Sequence, residues 1–238
     1  MRIAMWSGPR NLSTALMYSF GAREDCAVWD EPFYAAYLKA TGLDHPMRDA
    51  VIAAGETDPS KVAAACEGPI PDGRPLHYQK HMTLHMIDGF PRYFMRACEN
   101  VFLIRHPARV IASYVRKREA PTLDDLGFVQ QVRLFDEEAD RLGRAPRVVD
   151  SADIRARPRE TLTALCEALG IRFSERMLHW PAGGHPADGV WASHWYGAVH
   201  RSTGFDEPEG PLPEHDGDSA RLTEAALPHY EKLRAYAL

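Results

Sequence analysis

Two stretches of this 238-residue chain carry the residue types that hold an anion. The first, residues 7–14, reads Ser7-Gly8-Pro9-Arg10-Asn11-Leu12-Ser13-Thr14 and lies between an apolar run and a helical pattern. Backbone N–H groups and a helix N-terminus at such a junction make a natural site for phosphate. The loop departs from the nucleotide triphosphatase pattern GxxxxGK[ST]. With Thr14 aligned to the final hydroxyl, Ser13 stands where the lysine that reaches the β- and γ-phosphates belongs, which argues against ordinary ATP or GTP turnover. The second stretch, Arg105-His106-Pro107-Ala108-Arg109-Val110-Ile111-Ala112-Ser113-Tyr114, follows another apolar run and offers Arg105 and His106 where a magnesium-holding carboxylate would stand. Together they read as an anion site without metal. On a helix His106, Arg109 and Ser113 point one way, while Val110, Ile111, Tyr114 and Val115 form a core stripe. Taken singly, each stretch also has a plainer explanation: a strand-to-helix turn for the first, a solvated helix face for the second.

Groups that move protons stand at two further strand ends. Glu31 lies in Trp29-Asp30-Glu31-Pro32-Phe33, and Lys80 and His81 lie in Tyr78-Gln79-Lys80-His81-Met82. In open α/β sheets ligands bind beyond the carboxyl ends of the strands. A lysine there can neutralise a leaving phosphate. Asp30, Tyr34 and Tyr37 join the pocket candidates by position alone. His179, His185, His194 and His200 lack the tight spacing and the matched carboxylates or cysteines of a metal site, so no metal is expected.

The elements that must position these groups are legible as short apolar runs over 3–6, 27–29, 76–79, 101–104 and 147–149, the signature of strands buried on both faces. Helical patterns fall over 13–20, 107–117, 122–142, 158–169 and 220–236, with Leu126, Val129, Val132 and Phe135 at helical spacing in the third. Pro107 suits a first helical turn, and Thr122 with Asp125 an N-terminal cap. Strands alternating with helices predict an α/β fold, a mainly parallel sheet of about five strands with helices on both faces. Residues 179–218, rich in Gly, Pro, His and Trp, read as an irregular lid or pocket segment in which Trp191, Trp195 and Tyr196 pack, stack on a base or wall an acceptor pocket. The whole of 1–238 is expected to be one domain.

Composition narrows the class. The chain is 45% hydrophobic and 26% charged, an ordinary globular balance, and its net charge of −5 lacks the basic excess of a general nucleic-acid binder. Cys26, Cys66, Cys98 and Cys166 are too scattered for a metal site, which suits a reducing compartment. No apolar run is long enough for a bilayer and the first residues do not form a signal-peptide core, so a cytoplasmic location is expected.

The two anion stretches, in this order and each after a strand, resemble the sulfotransferases that use 3'-phosphoadenosine 5'-phosphosulfate (PAPS). The resemblance extends over about residues 1–172, and the opening through Asp30-Glu31-Pro32-Phe33 is similar to a bacterial sulfotransferase-like group. It implies a three-layer, P-loop NTPase-like fold. It further implies that Gly8, Pro9, Arg10, Asn11, Leu12, Ser13 and Thr14 form the 5'-phosphosulfate loop, with Arg10 meeting the transferring group and Ser13 and Thr14 binding the 5'-phosphate. Leu12 stands where the family often has glycine. Arg105 and Ser113, eight apart, correspond to the pair that binds the donor's 3'-phosphate. Glu31 resembles the base of some sulfotransferases and His81 the histidine base of the cytosolic small-molecule enzymes. Glu31 is preferred, with His81 as orienter or second base and Lys80 on the leaving phosphate.

The expected activity is metal-independent transfer of a sulfuryl group to a hydroxyl or amine of a small-molecule acceptor, leaving 3'-phosphoadenosine 5'-phosphate (PAP), with no nucleic-acid or membrane partner. A P-loop small-molecule or nucleotide kinase and a non-catalytic nucleotide-binding protein of the same fold are the competing readings.

Overall fold

The computed structural model describes residues 1–115 and 121–238. Its five strands, β1 (Arg2–Ser7), β2 (Cys26–Asp30), β3 (Leu76–Met82), β4 (Glu99–Ile104) and β5 (Arg147–Asp150), form one sheet in the order β2-β3-β1-β4-β5. Every pairing is parallel. Each predicted strand is found, lengthened by one to three residues.

The helices are α1 (Ser13–Gly21), α2 (Tyr34–Thr41), α3 (Arg48–Ala54), α4 (Pro59–Cys66), α5 (Pro107–Tyr114), α6 (Leu123–Leu126), α7 (Phe128–Leu142), α8 (Ser151–Ala156), α9 (Pro158–Leu169), α10 (Ala192–Trp195) and α11 (Gly217–Arg234). They cover both faces of the sheet. On one face Leu16 and Phe20 of α1 and Leu162 and Leu165 of α9 bury Ile3, Met5 and Tyr78. On the other, Val62 of α4, Leu134 and Phe135 of α7 and Leu233 of α11 bury Ala4, Trp6 and Phe102. A strand covered on both faces needs apolar side chains in both directions, which is why β1 reads as a continuous apolar run.

The order of the strands makes the site. β1 lies between β3 and β4, so the chain leaves β1 toward one edge of the sheet and β4 toward the other. The crevice beyond their carboxyl ends is a topological switch point, and both anion stretches begin there.

Three expectations change. The helix expected over 122–142 is two helices, broken at Gly127, whose φ is +71°. A Cβ on Gly127 would stand 2.7 Å from Thr83 Oγ1, so the close approach demands glycine. The restart resets the helical phase: Val129 is 38% exposed, and the buried stripe is Phe128, Gln131, Leu134, Phe135 and Glu138. The Thr122–Asp125 cap forms as a full capping box. The helix expected over 107–117 ends at Tyr114, leaving Val115 exposed; residues 116 and 117 lie outside the described residues. Helices α2, α3, α4 and α8, of six to eight residues between Gly, Pro and Asp, are too short for periodicity to register.

Residues 179–218 are largely irregular but not loose. Trp191, Ala192 and Tyr196 pack against Tyr34, Tyr37 and Leu38 of α2 and Val51 of α3. The four cysteines are free and buried. Among the described residues no helix is long and apolar enough to cross a membrane.

Candidate active site

A cavity of about 430 Å³ opens beyond the carboxyl ends of the strands. Pro9, Arg10, Asn11, Leu12, Ser13 and Thr14 line it, and so do Arg105, Ser113, Glu31 and Lys80.

At its anion end the loop after β1 turns through two left-handed residues, Arg10 at φ +62° and Leu12 at φ +73°. Such a conformation costs a residue with a Cβ roughly 1–2 kcal/mol, which gives the physical reason that glycine suits the Leu12 position. The Leu12 side chain packs against the core beside α1, and its backbone is the N-cap of that helix. Asn11 is buried and ties the loop to β4 by donating to the Leu103 carbonyl at 3.2 Å. Gly8 backs onto the α6–α7 junction, where a Cβ would meet the Leu126 carbonyl oxygen at 2.6 Å.

The two anion stretches touch directly. Arg10 Nε donates to Ser113 Oγ at 2.9 Å, and Arg105 Nη1 donates to the Arg10 carbonyl at 2.7 Å. The other polar residues of the second stretch serve differently. His106 caps α5 by accepting from the Ala108 N–H at 3.2 Å, and Arg109 pairs with Glu209 at 3.0 Å. The shared direction predicted for His106, Arg109 and Ser113 is therefore not realised, because His106 turns back onto its own helix.

At the other end stands a buried ionic cluster. The three N–H bonds of Lys80 Nζ are taken by Asp30 Oδ1 at 2.9 Å, Glu31 Oε1 at 2.6 Å and the Tyr196 hydroxyl oxygen at 2.6 Å. Tyr196 also accepts from Trp191 Nε1 at 2.9 Å and donates to Asp30 Oδ2 at 2.8 Å. Burial opposes the charge on Lys80, yet Asp30 and Glu31 outweigh it and hold the ammonium above its ordinary pKa. Burial also raises Asp30, against the pull of Lys80. Burial, then the two carboxylates, raises Tyr196, which stays a phenol. With its three donors engaged, Lys80 is the hub that fixes Glu31. Asp30 is 3% exposed and sits behind the cavity wall rather than in it.

Glu31 is the carboxylate of the cluster that lines the cavity. Its φ of +42° is unusual for a residue with a Cβ. Its N–H bonds the Lys80 carbonyl at 3.0 Å and its own carbonyl accepts from Tyr34 at the start of α2, so it is held from both sides. Its second oxygen, Oε2, lies 4.0 Å from His85 Nε2.

His81 does not reach this site. Successive residues of a strand point to opposite faces; with Lys80 on the cavity side, His81 faces the far core. There its ring stacks on Trp6 at 4.5 Å, Nε2 contacts Gln79 Oε1 at 3.1 Å, and burial pushes its pKa down to about 3. It is a buried neutral core histidine. Among the described residues two histidines line the cavity, His45 and His85; the one beside Glu31 is His85, in the turn after β3, stacked between Tyr34 at 4.7 Å and Tyr37 at 4.8 Å. Burial, then His45 and Lys80, hold it well below the usual imidazole range. The distance of His85 from its strand, three residues past Met82, hid it from sequence reasoning. Tyr34, Tyr37 and Trp195 do line the cavity, as does Arg155 from α8, which no motif marks. Among the described residues no group of three or more His, Cys, Asp and Glu side chains is arranged to hold a metal ion.

The comparisons with known proteins fit this geometry. Two proteins of Arabidopsis thaliana, Branched-chain-amino-acid aminotransferase-like protein 1 and protein 2, are 39% and 37% identical over 240 residues, 98% of this chain. The match covers 42% and 41% of those proteins, so the chain spans about two fifths of the length of the curated relatives it matches. Among solved structures, the sulfotransferase domain from the curacin biosynthetic pathway superposes with a TM-score of 0.51 at 15% identity, covering 94% of this chain and 96% of that one. The sulfotransferase domain of the Synechococcus PCC 7002 olefin synthase gives 0.48 at 18%, covering 94% of each. At 15% identity the likeness to the curacin-pathway domain is one of fold. The sulfotransferase domain model matches residues 1–237, taking the resemblance past the motifs through the irregular segment and α11. The chain belongs to the sulfotransferase domain family.

Proposed function

We propose that this chain transfers a sulfuryl group from PAPS to a hydroxyl, or an amine, of a small-molecule acceptor. The observation that carries the reading is that Arg10, Ser113 and Arg105 are joined directly, at 2.9 and 2.7 Å, on a cavity that also exposes Glu31. Ser13, Thr14 and the N-terminus of α1 take the 5'-phosphate, Arg10 the sulfuryl oxygens, and Arg105 with Ser113 the 3'-phosphate. Arg105 and Arg155 both line the cavity, and their buried Nε atoms have no acceptor among the described residues, which supports an anion as the missing partner of this cationic wall.

In the reaction a new bond forms from the acceptor oxygen to sulfur as the bond from sulfur to the 5'-phosphate oxygen breaks, and that oxygen keeps the electron pair. Glu31 Oε2 accepts the acceptor's proton; Lys80, engaged at Oε1, fixes the carboxylate. Arg10 and the loop N–H groups stabilise the charge that develops on the phosphate oxygen. His85 stands beside Oε2 as the neutral orienting group, in the role assigned by sequence to His81. Tyr34, Tyr37 and Trp195 wall the acceptor. The chemistry calls for no metal.

Calorimetric titration tests the reading. PAP should bind more tightly than AMP, which lacks the 3'-phosphate, and chelator should change neither binding nor transfer. Equal affinities, or an absolute magnesium requirement, would reject it in favour of a kinase or another nucleotide-binding role.

A further inference from the structure

Arg105, Arg109 and Arg155 come from the end of β4, from α5 and from α8, and they converge on one carboxylate, that of Glu209. Arg105 Nη2 donates to Glu209 Oε1, Arg155 Nη1 lies 3.0 Å from the same oxygen, and Arg109 Nε lies 3.0 Å from Oε2. The Glu209 side chain is 4% exposed, although it belongs to a segment without regular structure. Its neighbours Asp206, Glu207, Pro208, Gly210 and Pro211 are exposed. The segment's other holds on α5 are bonds from Arg109 to the Gly210 carbonyl and from His215 to the Ala108 carbonyl. A single glutamate buried by three arginines, on a strip that is otherwise solvated, does little for the core. What it does is place an anion among three guanidinium groups, two of which line the cavity. Among the described residues the buried Nε of Arg105 and of Arg155 lack an acceptor, and Glu209 Oε2, though ion-paired with Arg109, accepts no well-aligned hydrogen bond, so the carboxylate occupies the cluster without satisfying it.

We propose that Glu209 is an exchangeable internal anion: a phosphate monoester of the ligand displaces it from the arginine cluster, Arg155 and Arg109 joining Arg105 on that phosphate, and residues 206–216 are released. This rests on the donor assignment made above, and it adds a competitor that the chain carries within itself. Among the described residues the three guanidinium groups pair with the carboxylates of Glu209 and of Asp206, the latter 3.8 Å from Arg155, and so retain a net positive charge. A dianionic phosphate with three acceptor oxygens satisfies the cluster more fully than a carboxylate with two. While Glu209 occupies the cluster, only the fraction of molecules with it open binds at full affinity, and the apparent dissociation constant rises by the inverse of that fraction.

The test titrates PAP and AMP into the wild-type chain and into Glu209→Gln, whose near-identical shape preserves packing while removing the charge. The expected result is that PAP binds about tenfold more tightly to the variant, as for a cluster closed nine-tenths of the time, and that AMP binds equally to both. Hydrogen exchange on the wild-type chain supplies a second readout: PAP should accelerate exchange over 206–216 and AMP should not. If Glu209→Gln weakens PAP binding, or PAP slows exchange in that segment, Glu209 is a brace for the bound state and the exchange is overturned. If PAP is preferred over AMP by the same factor in both proteins, the exchange fails while the donor assignment stands. If neither protein distinguishes PAP from AMP, both readings fall.

Discussion

The two ends of the cavity are built differently. The anion end is made from two contiguous stretches, each a strand running into a helix, so its residues are neighbours in sequence before they are neighbours in space. The carboxylate end is assembled from the end of β2, the end of β3, the turn after β3 and the irregular segment beyond α9: Glu31, Lys80, His85 and Tyr196. Local backbone geometry writes the first kind of site into a sequence pattern. Only the packing of distant segments writes the second. The consequence is energetic as well: at the anion end the groups are held by loop and helix termini, whereas at the carboxylate end a buried cation and two carboxylates must balance or none of them is tolerable.

That contrast is broken most forcefully at its hub. Lys80→Met removes the cation while Asp30 and Glu31 stay together in the buried cluster. Loss of one partner from a buried ion pair typically costs 3–5 kcal/mol, and denaturant unfolding should register that much. A loss below about 1 kcal/mol, the range of an exposed pair, would mean that the cluster is hydrated and that Glu31 is not fixed by it.

Glu31→Gln separates chemistry from binding. It keeps the shape and the contact with Lys80 but accepts no proton. Turnover should fall by about a hundredfold or more, the usual contribution of a general base, with PAP affinity nearly unchanged. A fully active variant would move the base elsewhere, to His85 first.

Arg105→Ala is the matching cut at the anion end. Hydrogen bonds to charged groups contribute about 1.5–3 kcal/mol, so the variant should lose on the order of 2 kcal/mol of the preference for PAP over AMP. Its stability should change little. Full retention of the preference would place that phosphate away from Arg105.

The same contrast explains what the sequence revealed. The five strands, the parallel sheet, α1, α9 and the Thr122 cap were legible because apolar runs, helical spacing and caps are local signals. The break at Gly127 was not, since it answers to Thr83 and Gly8 in another part of the chain. Lys80 and Glu31 were found as strand-end charges, but their bond to each other depends on the pairing of β2 with β3, and Tyr196 between them on how residues 179–218 fold back over α2. Arg155 carried no signal at all, being one arginine among many until α8 points it at the cavity. His81 was a failure of a different kind. Alternation along β3 was available in the sequence and sends adjacent Lys80 and His81 to opposite faces; the attraction of a histidine beside a lysine at a strand end hid it.

His81 provides the finest cut, because a core histidine and a catalytic one answer differently to acid. Its folded pKa of about 3 lies below the roughly 6.5 of an unfolded histidine. Between those values the unfolded chain binds the extra proton, so stability falls as pH is lowered. The contribution is fully present above about pH 6.5, and by pH 5.5 the loss from this one residue is on the order of 1 kcal/mol. His77, held down to about 4 by burial and then by Arg2, adds to the same slope. His81→Gln should therefore flatten, not abolish, the acid limb of stability against pH measured by urea unfolding, whatever it does to the level at neutral pH. Turnover per folded molecule at neutral pH should survive. An unchanged slope would mean that the imidazole is not buried neutral beside Trp6. An unchanged slope together with lost turnover would return His81 to the reacting atoms and remove the division of the cavity into a contiguous end and an assembled one.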